Sequence, residues 1–165
     1  MKRTAFCGLM LALALIASYV ESLIPVPIPI PGIKLGVANS IVLILLYMTD
    51  IKTSWMVSLS RVVLMGFLFG SMSSILYSLS GAVLSLLIMI WVKKRNCFTM
   101  TGVSVTGGVS HNIGQLIMAF LVLESDAVWY YLPVLMVSGV ITGSVIGILG
   151  KEIFKRMPNR QGMEI

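Results

Sequence analysis

The chain is built of long apolar blocks separated by short polar punctuation. In lipid about 20 consecutive apolar residues make one helical crossing, and six blocks approach that length. The pattern predicts helices over about 4–24, 33–49, 54–69, 73–92, 101–123 and 128–149, followed by a basic tail over 151–165. The second is short for a full crossing. Between the first two stands Pro25-Val26-Pro27-Ile28-Pro29-Ile30-Pro31-Gly32. Pro25, Pro27, Pro29 and Pro31 each lack an N–H and fix φ, so this stretch reads as an extended loop. Tight turns are expected at Asp50–Thr53 and Gly70-Ser71, and Lys93-Lys94-Arg95 ends the fourth helix. The acidic Glu124-Ser125-Asp126 separates the fifth helix from a sixth that starts near Val128 or Pro133. The result is one all-α transmembrane domain over 1–165.

Composition sharpens this picture. The chain is 58% hydrophobic and 11% charged, with a mean hydropathy of +1.00. Soluble domains run at about 45–50% apolar and about 25% charged, so a soluble globular domain is excluded. Disorder is excluded too, since it needs low hydrophobicity. Six crossings fill the 165 residues and leave no room for a soluble catalytic domain. The twelve Lys/Arg against six Asp/Glu give a net charge of +6. Positive residues favour the cytoplasmic side of membrane helices. With the N-terminus in the cytoplasm, ten of the twelve fall there: Lys2, Arg3, Lys52, Lys93, Lys94, Arg95, Lys151, Lys155, Arg156 and Arg160. This predicts a multi-pass membrane protein with both termini cytoplasmic. Trp55 and Trp91 then lie at inner helix ends, and Trp129, Tyr130 and Tyr131 at an outer one. No Arg-rich tract with interleaved aromatics speaks for nucleic acid. Met1-Lys2-Arg3 ahead of Ala12-Leu13-Ala14 has the outline of a signal peptide. The apolar run continues to Tyr19, however, and five more blocks follow, which predicts an uncleaved first helix. Cys7 and Cys97 fit neither a metal spacing nor a disulfide framework, and no metal or cofactor is expected.

Small residues mark close packing where lipid supplies no hydrophobic drive. Gly139, Gly143 and Gly147 lie four apart on helix six, which predicts helix packing inside the bundle. Gly8 and Ala12 form a similar strip on helix one, at the bundle edge, and are candidates for docking a partner protein. Arg61 lies about eight residues into helix three, near mid-membrane. A charge there is costly and faces a cavity or a partner. Counting along the helices finds no Asp or Glu at that depth. Arg61 is therefore a candidate for contacting an anionic ligand through its planar fork; the alternative is internal pairing with carbonyls or with Asn and Gln. His111, Asn112 and Gln115 make a second cluster, His111 and Gln115 sharing a helix face. Ser104, Thr106, Gly107, Gly108 and Ser110 precede them, and so polar a segment belongs in protein or water. Gly107-Gly108 offers a helix break. Asn39, early in helix two, and Lys34, at the outer mouth, complete the candidate substrate-binding residues; Lys34 reads equally well as a solvated loop charge. No phosphate loop, Gly-x-Ser-x-Gly or HExxH motif is present. Neither is an aspartate cluster that could hold magnesium on a diphosphate. An enzyme is not expected.

Several stretches together resemble a known family. They are Ile24 to Asn39, Ser60-Arg61-Val62 leading to Gly66-Phe67-Leu68-Phe69-Gly70, and Gly108 to Leu116. Tyr130-Tyr131-Leu132-Pro133 and Gly139-Val140-Ile141-Thr142-Gly143 complete the set. The chain resembles the Gx transporter family, which also carries the name heptaprenyl diphosphate synthase component I. It is similar to the substrate-binding S components of energy-coupling factor (ECF) transporters. The resemblance implies six helices, a gating loop between the first two (Pro25 to Pro31 here), and small residues of helix one (Gly8, Ala12) facing a transmembrane coupling subunit. Separate ATPase subunits would supply energy. Two functions follow as expectations. One is a binding subunit for a small anionic or amphiphilic solute. The other is a non-catalytic accessory subunit in heptaprenyl diphosphate or isoprenoid quinone synthesis.

Overall fold

The computed structural model describes residues 2–23 and 39–156. Six α-helices account for most of them: α1 (Lys2–Leu23), α2 (Asn39–Met48), α3 (Ile51–Phe69), α4 (Met72–Lys94), α5 (Met100–Leu123) and α6 (Leu132–Arg156). A 3-10 turn over Asp126–Tyr131 leads into α6. Five of the helices are long and apolar enough to cross a membrane, and α2 is a shorter apolar helix. No strand occurs among the described residues.

The ends differ from expectation in instructive places. Helix α3 starts at Ile51, so the link from α2 is Thr49-Asp50 rather than a turn over Asp50–Thr53, with Asp50 extended at the N-cap. Ser71 and Thr99 cap α4 and α5, accepting from the amides of Ser74 and Gly102, which satisfies N–H groups that have no intrahelical partner. Gly107-Gly108 does not break α5, which runs through both glycines. Lys151 to Arg156, read as the start of the tail, continue α6. Lys and Arg are good helix formers, and a basic last turn also suits the helix dipole.

Large apolar side chains lie on the outside of the bundle as well as in its core. Leu9, Ile16, Val20 and Leu23 on α1, Phe67 on α3 and Val137, Ile141 and Ile148 on α6 are all exposed. The interior holds Ser18, Glu21, Ser58, Arg61, Ser85, His111, Asn112 and Gln115. Lipid accepts the first set, while the second must find partners inside protein. Three apolar clusters surround these polar groups; the largest joins Val42, Leu43 and Leu46 of α2 to Leu86 and Met89 of α4 and Ile146 of α6.

Helix α5 is the central stave, flanked by α4 and α6. Its closeness to both depends on glycine. A Cβ on Gly143 would stand 2.7 Å from Val105 Cα, and one on Gly147 2.6 Å from Thr101 Cα. Gly139 abuts Val109 in the same way. On the other side, a Cβ on Gly114 would be 2.8 Å from the Ser80 carbonyl oxygen. Ser80 Oγ donates to the Gly114 carbonyl and Ser85 Oγ to that of Gly107, both at 2.8 Å. Asn112 Nδ2 donates to the Leu135 carbonyl at 2.8 Å and ties α5 to α6. Helix α1 packs chiefly on α3, and Tyr19 and Phe69 meet at 4.8 Å near their C-termini. The two helices therefore run parallel. At the opposite end Lys93 Nζ donates to the Leu46 carbonyl and sits 4.8 Å from the Tyr47 ring centre. Tyr47 in turn faces Phe154 at 6.1 Å. Lys93, Lys94, Arg95, Lys151, Lys155 and Arg156 thus gather at one end of the bundle.

Candidate functional site

Arg61 is buried at mid-length of α3, 7% exposed. Its guanidinium donates from Nη1 to Ser18 Oγ of α1 at 3.4 Å and from Nη2 to Asn39 Oδ1 of α2 at 3.2 Å. Nε is buried and has no hydrogen-bond partner among the described residues. A cavity of about 30 Å³ opens beside it, lined by Ser18, Glu21, Asn39, Ser78 and His111 among others. The structure thus brings three of the candidate residues, Arg61, Asn39 and His111, to one place.

Glu21 corrects the sequence reading. It is 4% exposed, lines the same cavity as Arg61, and its carboxylate acts electrostatically on the guanidinium. Counting along the helices set no acidic residue at the depth of Arg61 and gave Glu21, three residues from the end of its predicted helix, no role. That count ignored side-chain reach: long charged side chains extend well away from their Cα level. The signal was present, for Glu21 is the one acidic residue inside the predicted membrane helices. With a carboxylate nearby, Arg61 no longer requires an anionic ligand to offset its charge.

A second void of about 10 Å³ adjoins the first and shares Asn39 and His111 with it; Ser85, Ser104, Asn112 and Thr142 also line it. The two voids form a polar tract drawing on all six helices. About 10–15 Å³ is enough for one water, whereas sites for small molecules run to about 300–1,000 Å³. The tract as it stands therefore accommodates waters, and a solute enters only if helices move apart. Gln115 is fully buried on the face of α5 that packs against Gly81 of α4. It lines neither void, although it shares with His111 the helix face that meets Gly81.

The remaining candidates fall elsewhere. Lys34 and the expected gating prolines Pro25, Pro27, Pro29 and Pro31 lie outside the described residues. Gly8 and Ala12 are on the exposed side of α1, and a Cβ on Gly8 would meet nothing within 4 Å. The inward stripe of α1 is instead Met10, Ala14, Ser18 and Glu21. Gly139, Gly143 and Gly147 lie against the α5 backbone. Among the described residues no group of His, Cys, Asp and Glu is arranged to hold a metal.

The family model described as heptaprenyl diphosphate synthase component I matches residues 10–153. No curated protein and no protein of solved structure matches the chain.

Proposed function

The chain belongs to the heptaprenyl diphosphate synthase component I family, and from that premise we propose that it is a non-catalytic membrane subunit that holds a small polar or amphiphilic molecule in its interior. The observation that carries this reading is the polar cluster of Ser18, Glu21, Asn39, Arg61 and His111 around a mid-span cavity. Intramembrane ionisable groups are expensive to bury and characteristically serve ligands or pathways. Chemistry on a diphosphate would need magnesium-binding carboxylates, and among the described residues Glu21 is the one carboxylate lining either void. The basic end of the bundle faces the cytoplasm in this reading, as the positive-inside rule requires, and the membrane is the bacterial inner membrane.

Two forms of this subunit are distinguished by their partners. In the first, the chain works like the S component of an ECF transporter. The exposed Gly8 and Ala12 side of α1 docks a coupling subunit, and separate ATPase subunits supply energy. In the second, it is the membrane component of heptaprenyl diphosphate or isoprenoid quinone synthesis. The family description speaks more directly for the second; the polar interior supports the first. Native mass spectrometry of the gently purified protein separates them. Co-purifying coupling and ATPase subunits with a retained small polar molecule supports transport. A soluble prenyl diphosphate synthase subunit in stoichiometric amount supports the accessory role. A bare chain carrying neither would sink both.

A further inference from the structure

Glu21 and His111 reach one small cavity from different helices, α1 and α5. Both are buried, at 4% and 5% exposure. The cavity of about 30 Å³ has room for one or two waters, and a water bridging two polar groups serves nearly as well as a direct hydrogen bond. Carboxylates and imidazoles inside membrane bundles characteristically carry protons, because each takes up a proton and returns it without any other bond changing. The charged neighbourhood is simple. Arg61 of α3 contributes a positive charge, while Asn39 of α2 and Ser78 of α4 are neutral; among the described residues, no α6 residue lines this cavity.

We infer that Glu21 and His111 form a proton-sharing pair across this cavity, which makes the interior site responsive to protons. In one state Glu21 is a carboxylate, His111 is neutral and Arg61 balances the cluster at zero net charge. Uptake of one proton, by either group, leaves the cluster at net +1. Transfer within the pair breaks the O–H bond of the Glu21 carboxyl and forms an N–H bond on His111 through an intervening water. No electron changes hands. The inference deepens the proposed interior binding site and rests on it for its biological use, but its test requires no solute.

His111 is the single histidine of the chain, so selective 15N labelling gives one imidazole signal. The full chain in lipid nanodiscs is titrated between about pH 4 and 9, a span covering both groups' ordinary ranges. The imidazole is followed by NMR and protonated carboxyl by its infrared band. Glu21→Gln is expected to displace the histidine transition along the pH axis by about half a unit or more. In the reciprocal variant, His111→Gln, the carboxyl band assigned to Glu21 by its loss in Glu21→Gln is expected to move. Unmoved transitions in both variants would overturn the pairing. Should either variant fail to fold, the other alone decides. A negative result leaves the solute reading standing, since that depends on a retained molecule and not on titration.

Discussion

Replacing Arg61 by Met retains much of the apolar stem and removes the guanidinium. Two hydrogen bonds disappear, a 3.2 Å bond to Asn39 and a long 3.4 Å bond to Ser18. The larger consequence is electrostatic. Glu21 is left buried beside a cavity of about 30 Å³ without the positive charge that balances it. Removing one member of a buried charge pair costs about 3–5 kcal/mol, or roughly 150- to 4,000-fold in the unfolding equilibrium. Glu21→Gln alone is destabilising for the mirror reason, since it strands the guanidinium. In the double variant no charge remains in the cavity, so its loss is expected to fall short of the sum by about 0.5–3 kcal/mol, the range found for residues in one network. Reversible unfolding in mixed micelles at increasing dodecyl sulfate, followed by tryptophan fluorescence, measures all four corners of this cycle. Strictly additive losses would show that Arg61 and Glu21 do not sense each other, and the charge-balanced site would fall with that result.

Four further substitutions have expected outcomes. Gly143→Ala places a Cβ 2.7 Å from Val105 Cα, so α5 and α6 must part; overpacking of this kind costs about 1–3 kcal/mol. Gly8→Ala meets nothing within 4 Å and is expected to leave micelle unfolding unchanged or slightly improved, so equal losses in the two would refute the packing account. Asn112→Ala removes the 2.8 Å bond from Nδ2 to the Leu135 carbonyl, at about 0.5–1.5 kcal/mol; amide exchange around the start of α6 is expected to quicken, and unchanged protection there would count against the tie. Ala12→Leu is expected to reduce co-purification with a partner subunit while leaving any retained solute in place. Normal recovery of the partner would remove the exposed side of α1 as the docking face.

Most of the architecture was legible because hydrocarbon imposes one rule on every segment. Each backbone group must be satisfied within its own helix or inside protein, so apolar block length translates directly into helices. The α4 and α5 boundaries followed to within two residues, and caps stand at Ser71 and Thr99, whereas α6 starts at Leu132 after a 3-10 turn rather than at 128. The end of α6 differs too, because Lys151 to Arg156 are polar without being helix-breaking. Polarity alone marks where lipid stops, and the helix continues past that level. Gly107-Gly108 misled for a related reason. Glycine weakens a helix in water, but between packed helices the missing side chain lets neighbours approach closely. Here a Cβ on Gly107 would stand 2.5 Å from Met89 Sδ, and one on Gly108 2.7 Å from the Gly139 carbonyl oxygen.

The site was only half legible, and the missing half changes its meaning. Arg61, Asn39 and His111 announced themselves as polar groups at membrane depth, and the structure does place them together. Depth, however, is a one-dimensional coordinate, whereas a site is made by side chains converging from several helices. Glu21 has an outer position along α1, yet its side chain shares the cavity with Arg61. The error carried into chemistry. An arginine with no counter-charge calls for an anion; an arginine facing a carboxylate and an imidazole forms a neutral, titratable cluster that needs no ligand charge at all. Glu21 therefore turns the question from which anion Arg61 holds to what a solute must carry to displace water from a balanced site. A neutral or zwitterionic solute meets that condition without the cost of adding net charge to a low-dielectric interior, whereas an anion meets it only when the cluster has first taken up a proton.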